Sequence, residues 1–528
     1  MTRVLESGPR SELRVRLSES VGALLWLLWR PSSMTILLAL LAVLLRVYGV
    51  QQANDLFIDE VTYAEMARQM AEGQLPSILG SPFFLHPPGL FALDGMVIRV
   101  LGLGGGPMDL ALQLRWVNAI VGVMTVVVCV LLVRRLVGLV PAVFAGAILA
   151  SDPFVLRMDG RLMMETPAGL AVLTGWLLVL MALGQAPGRR RVLLEVAGGF
   201  AFGLALVTKD MTVMFTVVPL LSAVLWRQTL RAMTAMRIFA CALVPYLVYL
   251  CVIASAGLLP AFVDQKTVGV LRITGVMQMT GFNSVTGTDL TGRLVELAGR
   301  FGTSYILLGL SLVSGALASL SRVQIRRIIG VYSFISGIVG AYSVFFGAAE
   351  EQFGYCVVLA SLISTPVAAT MVLERRPAAR TFLVTAAALM SVISLALGLQ
   401  ARLTVDDGLV RARDFLTTRL PSDSQVGLTT VTEEFALLPH TNWEVLPSLK
   451  SLSDRGAEYV LTQGRQLREG YGYAAPELVE WLKANAEPVY SFTGPTSGET
   501  VVWRLDRSKL DAAVEAGHTI PPVTGGYP

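Results

Sequence analysis

Long apolar runs separated by short polar segments dominate the sequence between residues 34 and 399. A membrane-spanning helix needs about 20 mostly apolar residues, and roughly eleven runs fit this length within the usual error of helix boundaries. Several runs contain Gly or Pro, which membrane helices tolerate. The pattern predicts a mostly α-helical, polytopic membrane protein with spans at 34–50, 117–133, 136–150, 166–183, 193–207, 212–226, 238–258, 303–320, 328–346, 355–373 and 381–399.

The apolar segment 88–103 is ambiguous because it contains Asp94 and Arg99. Arginines in short loops mark the cytoplasmic side of a membrane protein. If this segment does not span and the N-terminus is cytoplasmic, every arginine-rich loop lies inside, whereas a span here would move all of them outside. We therefore predict a helix that lies along the outer interface. The arginine-rich loops are 134–135, 189–191, 227–237, 322–327 and 375–380.

The chain divides into four predicted parts. Residues 1–33 form a cytoplasmic segment, and residues 34–399 form the transmembrane domain, whose long outer loop is 51–116. From residue 400 the composition becomes polar, with turn signals and strands that alternate with helices, which predicts a small extracytoplasmic α/β domain up to residue 507. A flexible, Gly- and Pro-rich tail follows at 508–528. The predicted strands are 425–430, 458–462, 488–492 and 500–505, and the predicted helices are 407–419, 446–455 and 476–484.

Composition supports the membrane assignment. Only 15% of the residues are charged, compared with about 25% in a typical soluble domain, and the mean hydropathy is +0.63. A soluble chain of this kind would expose large apolar patches to water. This excludes an ordinary cytosolic enzyme, a nucleic-acid-binding protein and a disordered protein, and the lipid bilayer of the plasma or inner membrane is the expected surrounding. The four cysteines lie in apolar runs, which indicates buried thiols.

Two features of the loop 51–116 suggest chemistry. Asp59 and Glu60 are adjacent carboxylates just past the first predicted span. A carboxylate in a cleft of low dielectric near the bilayer can act as a general base, although an acidic loop start in water has the same pattern. His86 precedes a rigid pair of prolines that begins the predicted interface helix. It can meet a phosphate at the membrane surface or mark a plain turn.

A short predicted outer loop, 151–165, is dense in charge and contains Arg157, Asp159, Arg161 and Glu165. Arginine binds phosphate through two parallel hydrogen bonds, and the acids can hold a metal, a sugar hydroxyl or the arginines themselves. The pattern by itself favours a salt-bridge cluster that neutralises itself.

Further polar residues fall at the same side of the predicted membrane. Lys209 ends a span, where a lysine either extends its ammonium group to the interface or binds a lipid phosphate. Glu350, Glu351 and Tyr355 form a similar cluster. Because all these residues map to one side, their placement fits chemistry on a lipid-linked anion. The third outer loop adds Lys266, Arg272, Arg293 and Arg300.

These motifs resemble those of GT-C membrane glycosyltransferases, in particular the protein O-mannosyltransferase and aminoarabinose–lipid A transferase group. The resemblance covers most of the chain through short motifs, and its specific part is the combination of Asp59-Glu60 with His86-Pro87-Pro88 in one loop. The aminoarabinose transferases carry Lys where this chain has His86, and the mannosyltransferases carry His, so the sugar stays open. The other motifs are Tyr63-Ala64, Ala67-Arg68, Leu114-Arg115, Asp159, Glu165 and Thr208-Lys209.

The resemblance implies transfer of a sugar from a polyprenyl phosphate to an extracytoplasmic acceptor in the cell envelope. It implies that Asp59 is the catalytic base for inverting attack on the anomeric carbon, and that Glu60 orients Asp59 or binds sugar. Fixed cations would stabilise the departing lipid phosphate. The residues implied to bind the substrates are Tyr63, Arg68, His86, Arg157, Asp159, Arg161, Glu165, Lys209, Glu350, Glu351 and Tyr355.

Two other classes of protein fit part of the pattern. A transporter or lipid flippase needs ionisable residues near the middle of its spans, whereas here the charges lie at span ends and no internal repeat is visible. A non-catalytic, membrane-anchored module leaves the loop of Asp59 and His86 unexplained. Asp59, Glu60 and Asp159 could share a divalent cation, since hard cations take oxygen ligands, but their spacing does not require one.

Overall fold

The computed structural model describes residues 31–226, 229–277, 290–346, 351–437 and 442–523. Apolar helices form a bundle that accounts for most of this part of the chain. In order, the helices before the C-terminal domain are α1 (Pro31–Val47), α2 (Ile58–Ala71), α3 (Gly89–Leu101), α4 (Pro107–Val137), α5 (Leu139–Ser151), α6 (Pro153–Asp159), α7 (Glu165–Leu183), α8 (Arg189–Thr208), α9 (Val217–Leu225), α10 (Ala232–Ser255), α11 (Leu259–Ile273), α12 (Leu290–Ser319), α13 (Gln324–Phe345), α14 (Gly354–Arg375) and α15 (Arg380–Leu403).

The bundle confirms the predicted multi-pass membrane fold. Within the described ranges, eight helices are long and apolar enough to cross a membrane. The helices α5 and α6 form a bent pair with an angle of 60°, and Ser32–Val47 and Asp210–Leu225 are shorter apolar helices. These helices together fall on all the segments that the apolar pattern predicts as spans.

Close contact between helices in the bundle depends on small residues. A Cβ atom added at Gly330 on α13 would lie 2.1 Å from the backbone nitrogen of Ser319 on α12, and one added at Gly315 on α12 would lie 2.4 Å from the backbone nitrogen of Phe334 on α13. Small residues let membrane helices approach until their backbones touch. The two helices are therefore fixed side by side at this face.

The ambiguous segment 88–103 contains the helix α3, which has 13 residues. At a rise of about 1.5 Å per residue, it is too short to cross a bilayer. It packs along α2, where a Cβ atom added at Gly95 would lie 2.8 Å from the carbonyl oxygen of Ala67. The chain between α2 and α3 carries a small antiparallel pair, β1 (Ser77–Ile78) and β2 (Ser81–Pro82), which the sequence pattern did not predict.

The C-terminal domain is an α/β unit around a five-stranded sheet. The strand order is β4-β3-β5-β7-β6, in which β3 pairs in parallel with β4 and β5, and β7 pairs antiparallel with β5 and β6. The strands are β3 (Val426–Leu428), β4 (Trp443–Val445), β5 (Tyr459–Gln463), β6 (Glu487–Gly494) and β7 (Gly498–Arg504). The helices are α16 (Gly408–Arg419), α17 (Val431–Leu437), α18 (Leu449–Asp454), α19 (Gly464–Arg468), α20 (Pro476–Asn485) and α21 (Arg507–Glu515).

The predicted flexible tail begins with a helix. Asp506 accepts hydrogen bonds from the backbone N–H groups of Ser508 and Lys509 and so caps α21, and Leu510 is buried in the core of the domain. The prediction of a flexible tail from residue 508 is therefore wrong for the first part of that segment, because a capped helix with a buried leucine is held in place.

The C-terminal domain and the bundle share one hydrophobic core. Leu56, just before α2, and Leu114 on α4 belong to the same buried cluster as Leu416 and Leu461 from the C-terminal domain. Burial of apolar surface is the main favourable term in such packing. The domain is therefore fixed against the segment that leads into α2.

Candidate active site

A cavity of about 400 Å³ lies among the start of α2, the loop before α3, the end of α8, the helix α11 and the residues before α14. Aromatic and aliphatic side chains form much of its wall, together with a concentration of charge. The carboxylate, cationic and imidazole side chains in the wall are Asp59, His86, Lys209, Asp210, Lys266 and Arg272. The sequence brings these residues from four separate segments.

Asp59 lies in the first turn of α2 and lines the cavity. Its exposed fraction is 8%. The N-terminal end of a helix carries partial positive charge, which stabilises a carboxylate in the first turn. This position suits a base that must be ionised before it takes a proton.

Glu60, the next residue, has a different environment because successive helix residues point about 100° apart. It is fully buried, and Arg115 donates to its two carboxylate oxygens at 2.8 Å each. The backbone N–H of Leu162 donates to it at 2.9 Å. Glu60 does not line the cavity, so its contacts favour orienting Asp59 over binding sugar.

Two lysines of the cavity wall are held by carboxylates. Lys209 follows the last residue of α8 and pairs with Glu165 at the start of α7. Lys266 on α11 pairs with Asp210. Burial lowers the pKa of Lys266, and Asp210 opposes this shift by favouring the charged form. Glu165 thus contributes by fixing Lys209 rather than by facing the cavity itself.

His86 lies in the same wall, where the ring of Tyr63 meets it edge-on at 5.9 Å between centroids. Burial lowers the pKa of His86 well below its usual value, and the cations of the wall act in the same direction. The free imidazole is therefore neutral near pH 7 and can donate one hydrogen bond. Tyr63 itself is buried, and its ring packs against the imidazole ring of His86. The cations that lower the pKa are Lys209, Lys266 and Arg272.

Arg157 and Arg161 do not line this cavity. Both pair with Asp55, four residues before Asp59: Arg157 Nη2 lies 3.5 Å from Asp55 Oδ1, and Arg161 is closer. Arg161 also lies 4.0 Å from Glu60. These contacts agree with the salt-bridge alternative of the sequence analysis, and phosphate binding by the two arginines stays a prediction.

Asp159 belongs to a second buried cluster. Arg46 donates to it from Nε at 2.9 Å, and the hydroxyl groups of Thr166 and Tyr355 donate at 2.9 Å and 2.8 Å. Neither Asp159 nor Tyr355 lines the cavity. These contacts tie α1, α6, α7 and α14 together, and a role of Asp159 and Tyr355 in binding substrate stays a prediction.

The structure separates other predicted site residues from the cavity. Arg68 pairs with Glu65 and Glu72 on its own helix, at 2.5 Å and 2.6 Å, and is partly exposed. These carboxylates raise the pKa of Arg68 further. The prediction that Arg68 joins the phosphate site is wrong, because its charge is already matched on the surface of α2. Glu350 and the side chain of Glu351 lie outside the described residues.

The three carboxylates considered as metal ligands do not come together. Asp59 lines the cavity, whereas Glu60 and Asp159 are each bound by an arginine. In the part of the chain that the structure describes, no group of three or more His, Cys, Asp or Glu side chains is arranged to hold a metal ion. The shared site formed by these three residues is therefore excluded by their separate partners, and a divalent cation bound elsewhere stays a prediction.

An apolar cavity of about 270 Å³ adjoins the charged one, between α12, α13 and α14. Phe353 lines both cavities, and Lys209 Nζ lies 5.5 Å from the centre of its ring. The apolar cavity is lined by residues such as Leu308, Leu312 and Val357. A ligand with a charged head and an apolar tail could therefore occupy both cavities at once.

Sequence reasoning missed several residues that build the site. Arg46 and Asp55 are buried partners of predicted residues, Asp210 lines the cavity, and Arg115, known only as part of a motif, is the partner of Glu60. The sequence does contain a signal for Arg46, because an arginine inside an apolar run needs a buried partner. The partner itself, Asp159, is 113 residues away and cannot be read from spacing.

Comparison with known proteins gives a family match over part of the chain. Residues 86–255 match the model of the dolichyl-phosphate-mannose-protein mannosyltransferase family, which is less than half of the chain. A comparison with curated protein sequences gives no match.

Solved structures of membrane enzymes share the fold. ArnT from Cupriavidus metallidurans, bound to undecaprenyl phosphate, is similar with a TM-score of 0.54 and 16% identity over 89% of this chain and 97% of that one. The archaeal oligosaccharyltransferase AglB from Archaeoglobus fulgidus, in complex with an inhibitory peptide and a dolichol-phosphate, has a TM-score of 0.53 and 13% identity over 90% of this chain and 74% of that one. The fold is that of the GT-C membrane glycosyltransferases. The predicted resemblance to the O-mannosyltransferase and aminoarabinose transferase group is confirmed by this fold and by the family match.

Proposed function

We propose that the protein is an inverting glycosyltransferase that moves a sugar from a polyprenyl-phosphate donor to an extracytoplasmic acceptor. One observation carries this proposal: Asp59 shares a single cavity with three cations and a neutral imidazole. A base and a phosphate-binding wall are the two parts that such a transfer needs.

The chemistry assigns one step to each part. Asp59 takes the proton of the acceptor hydroxyl while the hydroxyl oxygen attacks the anomeric carbon. The bond between that carbon and the phosphate oxygen breaks, and its electron pair leaves with the phosphate. In-line attack inverts the anomeric configuration. Lys209, Lys266 and Arg272 stabilise the charge that develops on the leaving phosphate, and His86 donates a hydrogen bond to it.

The apolar cavity supports a polyprenyl carrier. It adjoins the cationic wall at Phe353, so the phosphate and the first isoprene units can be bound together. Both solved relatives described above hold a polyprenyl-type phosphate, which agrees with this donor class.

The positive-inside pattern supports the orientation. With the arginine-rich loops in the cytoplasm, the cavity and the C-terminal domain face the other side of the cell membrane. The acceptor is then a cell-envelope glycan, lipid or protein that carries a free hydroxyl.

A panel of polyprenyl-phosphate sugars tests the proposal. Purified protein is incubated with each donor and an envelope extract, and mass spectrometry follows the release of polyprenyl phosphate and the sugar adduct. We expect one donor to yield both products in equal amounts. Movement of a lipid across vesicles without any adduct would contradict the proposal and support the flippase alternative. A parallel reaction with EDTA tests the predicted divalent cation.

A further inference from the structure

We propose that the C-terminal domain positions the carboxylate of Asp59 through the turn between β6 and β7, with Thr496 as the positioning residue. The juxtaposition that carries this inference is the contact of Thr496 with Asp55, at the segment that leads into α2. The inference rests on the proposed function, because it concerns the same base.

The carboxylate of Asp406, which lies just before α16, binds the turn between β6 and β7. It is fully buried and accepts hydrogen bonds from the backbone N–H groups of Thr496 at 3.0 Å and Ser497 at 3.1 Å, and from the Ser497 hydroxyl at 2.6 Å. The backbone N–H of Asp406 in turn donates to the carbonyl of Gln52 at 2.8 Å. The turn therefore cannot move without the segment before α2.

Thr496 extends this link to Asp55. Its hydroxyl lies close to Asp406 Oδ2 and 3.2 Å from Asp55 Oδ1, so its one proton is shared between the two carboxylates. Asp406 accepts three other hydrogen bonds from the turn. Asp55 is also paired with Arg157 and Arg161, so the Thr496 hydroxyl joins the turn to that ion-pair group. Thr496 and Asp55 have exposed fractions of only 5% and 8%, so water does not substitute readily for this bond.

The C-terminal domain makes a second contact with the segment before α2 at Phe57, two residues after Asp55. The ring of Tyr471 packs edge-on against Phe57 with 5.0 Å between ring centroids. An aromatic pair of this geometry has a preferred orientation beyond simple burial. The C-terminal domain thus holds the chain at Asp55 and Phe57, immediately before the catalytic carboxylate of Asp59.

These contacts determine where Asp59 lies in the cavity. Only three residues separate Asp55 from Asp59, so a small displacement of the segment reaches the carboxylate. A misplacement of about 1 Å can reduce a rate by about a hundredfold. The cations proposed to bind the donor phosphate lie at the end of α8 and on α11, so we expect donor binding to be independent of this link.

The substitution Thr496→Val tests the inference, because valine keeps the branched shape and removes the hydroxyl. We expect kcat to fall by about tenfold with the donor KM unchanged, and Thr496→Ser to recover most of the loss. Thr493→Val is the matched control: Thr493 is exposed on β6 of the same hairpin, and we expect no change in kcat. Unfolding temperatures of all variants are measured in parallel.

The outcomes separate this inference from the proposed function. A wild-type protein that transfers no sugar contradicts the function itself. If the wild-type protein is active and Thr496→Val retains full kcat, or loses only thermal stability, the positioning role is overturned. Should Thr496→Val fail to fold, Tyr471→Leu applies the same test at the second contact, with Tyr471→Phe as its conservative partner: a lower kcat at constant KM supports the link, and an unchanged kcat overturns it.

Discussion

Asp59 and Glu60 are adjacent on α2, and the rotation of about 100° between successive helix residues places their side chains in different surroundings. Asp59 turns towards a cavity with cations, whereas Glu60 turns into a buried ion pair with Arg115. Breaking a buried pair by removing one partner typically costs about 3–5 kcal/mol, because it leaves an unpaired charge. In the proposed mechanism, these adjacent carboxylates divide into a reactive group, Asp59, and a group that fixes its position, Glu60.

Lys266 allows a test of the phosphate-binding wall at the scale of one side chain. We expect Lys266→Met to raise the donor KM by about tenfold and also to lower kcat, because the bound donor loses a cation and the leaving phosphate loses one that stabilises its developing charge. The fold should persist, since Asp210 keeps its hydrogen bond from the Tyr246 hydroxyl at 2.7 Å. Steady-state kinetics with varied donor measure both constants. Lys483→Met, at an exposed lysine of α20, serves as the control. An unchanged KM would remove Lys266 from the donor site.

At the scale of secondary structure elements, breaks between helices create the site. The helix α8 ends at Thr208, and Lys209 adopts an extended backbone before the short helix Asp210–Phe215. This break directs Lys209 and Asp210 into the cavity wall. A continuous helix would place at most one of these two adjacent side chains there, because successive residues diverge.

Glu433 on α17 makes the stability of the C-terminal domain depend on pH. Burial raises the pKa of Glu433 to about 8 from its usual 4.5, although the backbone N–H groups of Thr429 and Thr430 donate to it. The folded state therefore keeps a proton that the unfolded state releases, and this contribution to stability is lost as pH rises towards 8.

We accordingly expect the unfolding temperature of the wild-type protein to fall between about pH 4.5 and pH 8 relative to that of Glu433→Gln. Scanning fluorimetry across this range measures the difference. Glu458→Gln, at an exposed glutamate of the same domain, should follow the wild-type curve. Parallel curves for wild type and Glu433→Gln would show that Glu433 does not carry the shifted pKa.

Sequence predicted the elements with strong periodicity and missed the short ones. The spans were predicted from long apolar runs. The segment of α3 was separated from the spans because it contains Asp94 and Arg99 and because a span there would place the arginine-rich loops outside. The strand β4 has three residues and α17 has seven, which is too short for a clear hydrophobic period. The capped helix α21 was hidden by the Gly and Pro residues that follow it, although Asp506 is a typical capping residue.

At the scale of the whole molecule, sequence predicted three residues that the structure brings to one cavity, but not the ion pairs behind them. The ion pair of Arg46 with Asp159 and that of Arg115 with Glu60 join residues that are far apart in the chain. Partner choice between distant helices is decided by packing, which a single sequence does not encode locally. Asp59, His86 and Lys209 were predicted because each lies at an element boundary near the membrane surface.

The orientation of the molecule gives a direct prediction. Single cysteines introduced by Ser491→Cys on β6 and Ala186→Cys in the loop between α7 and α8 are both at exposed positions. On intact cells, a membrane-impermeant maleimide should label the first, and it should label the second only after permeabilisation, because the arginines beside Ala186 place that loop inside. The wild-type protein is the control for its native cysteines. The opposite labelling pattern would invert the topology.

The role of Asp59 as the base is the central claim, and sugar transfer by Asp59→Asn tests it most directly. Asparagine keeps the size of the side chain but cannot accept the acceptor's proton. The rate is compared with that of Asp264→Asn, at an exposed aspartate of α11, and the unfolding temperatures of both variants are measured. We expect Asp59→Asn to unfold at the wild-type temperature and to lose transfer by about a thousandfold, while Asp264→Asn stays active. Transfer by Asp59→Asn at the wild-type rate would contradict the account.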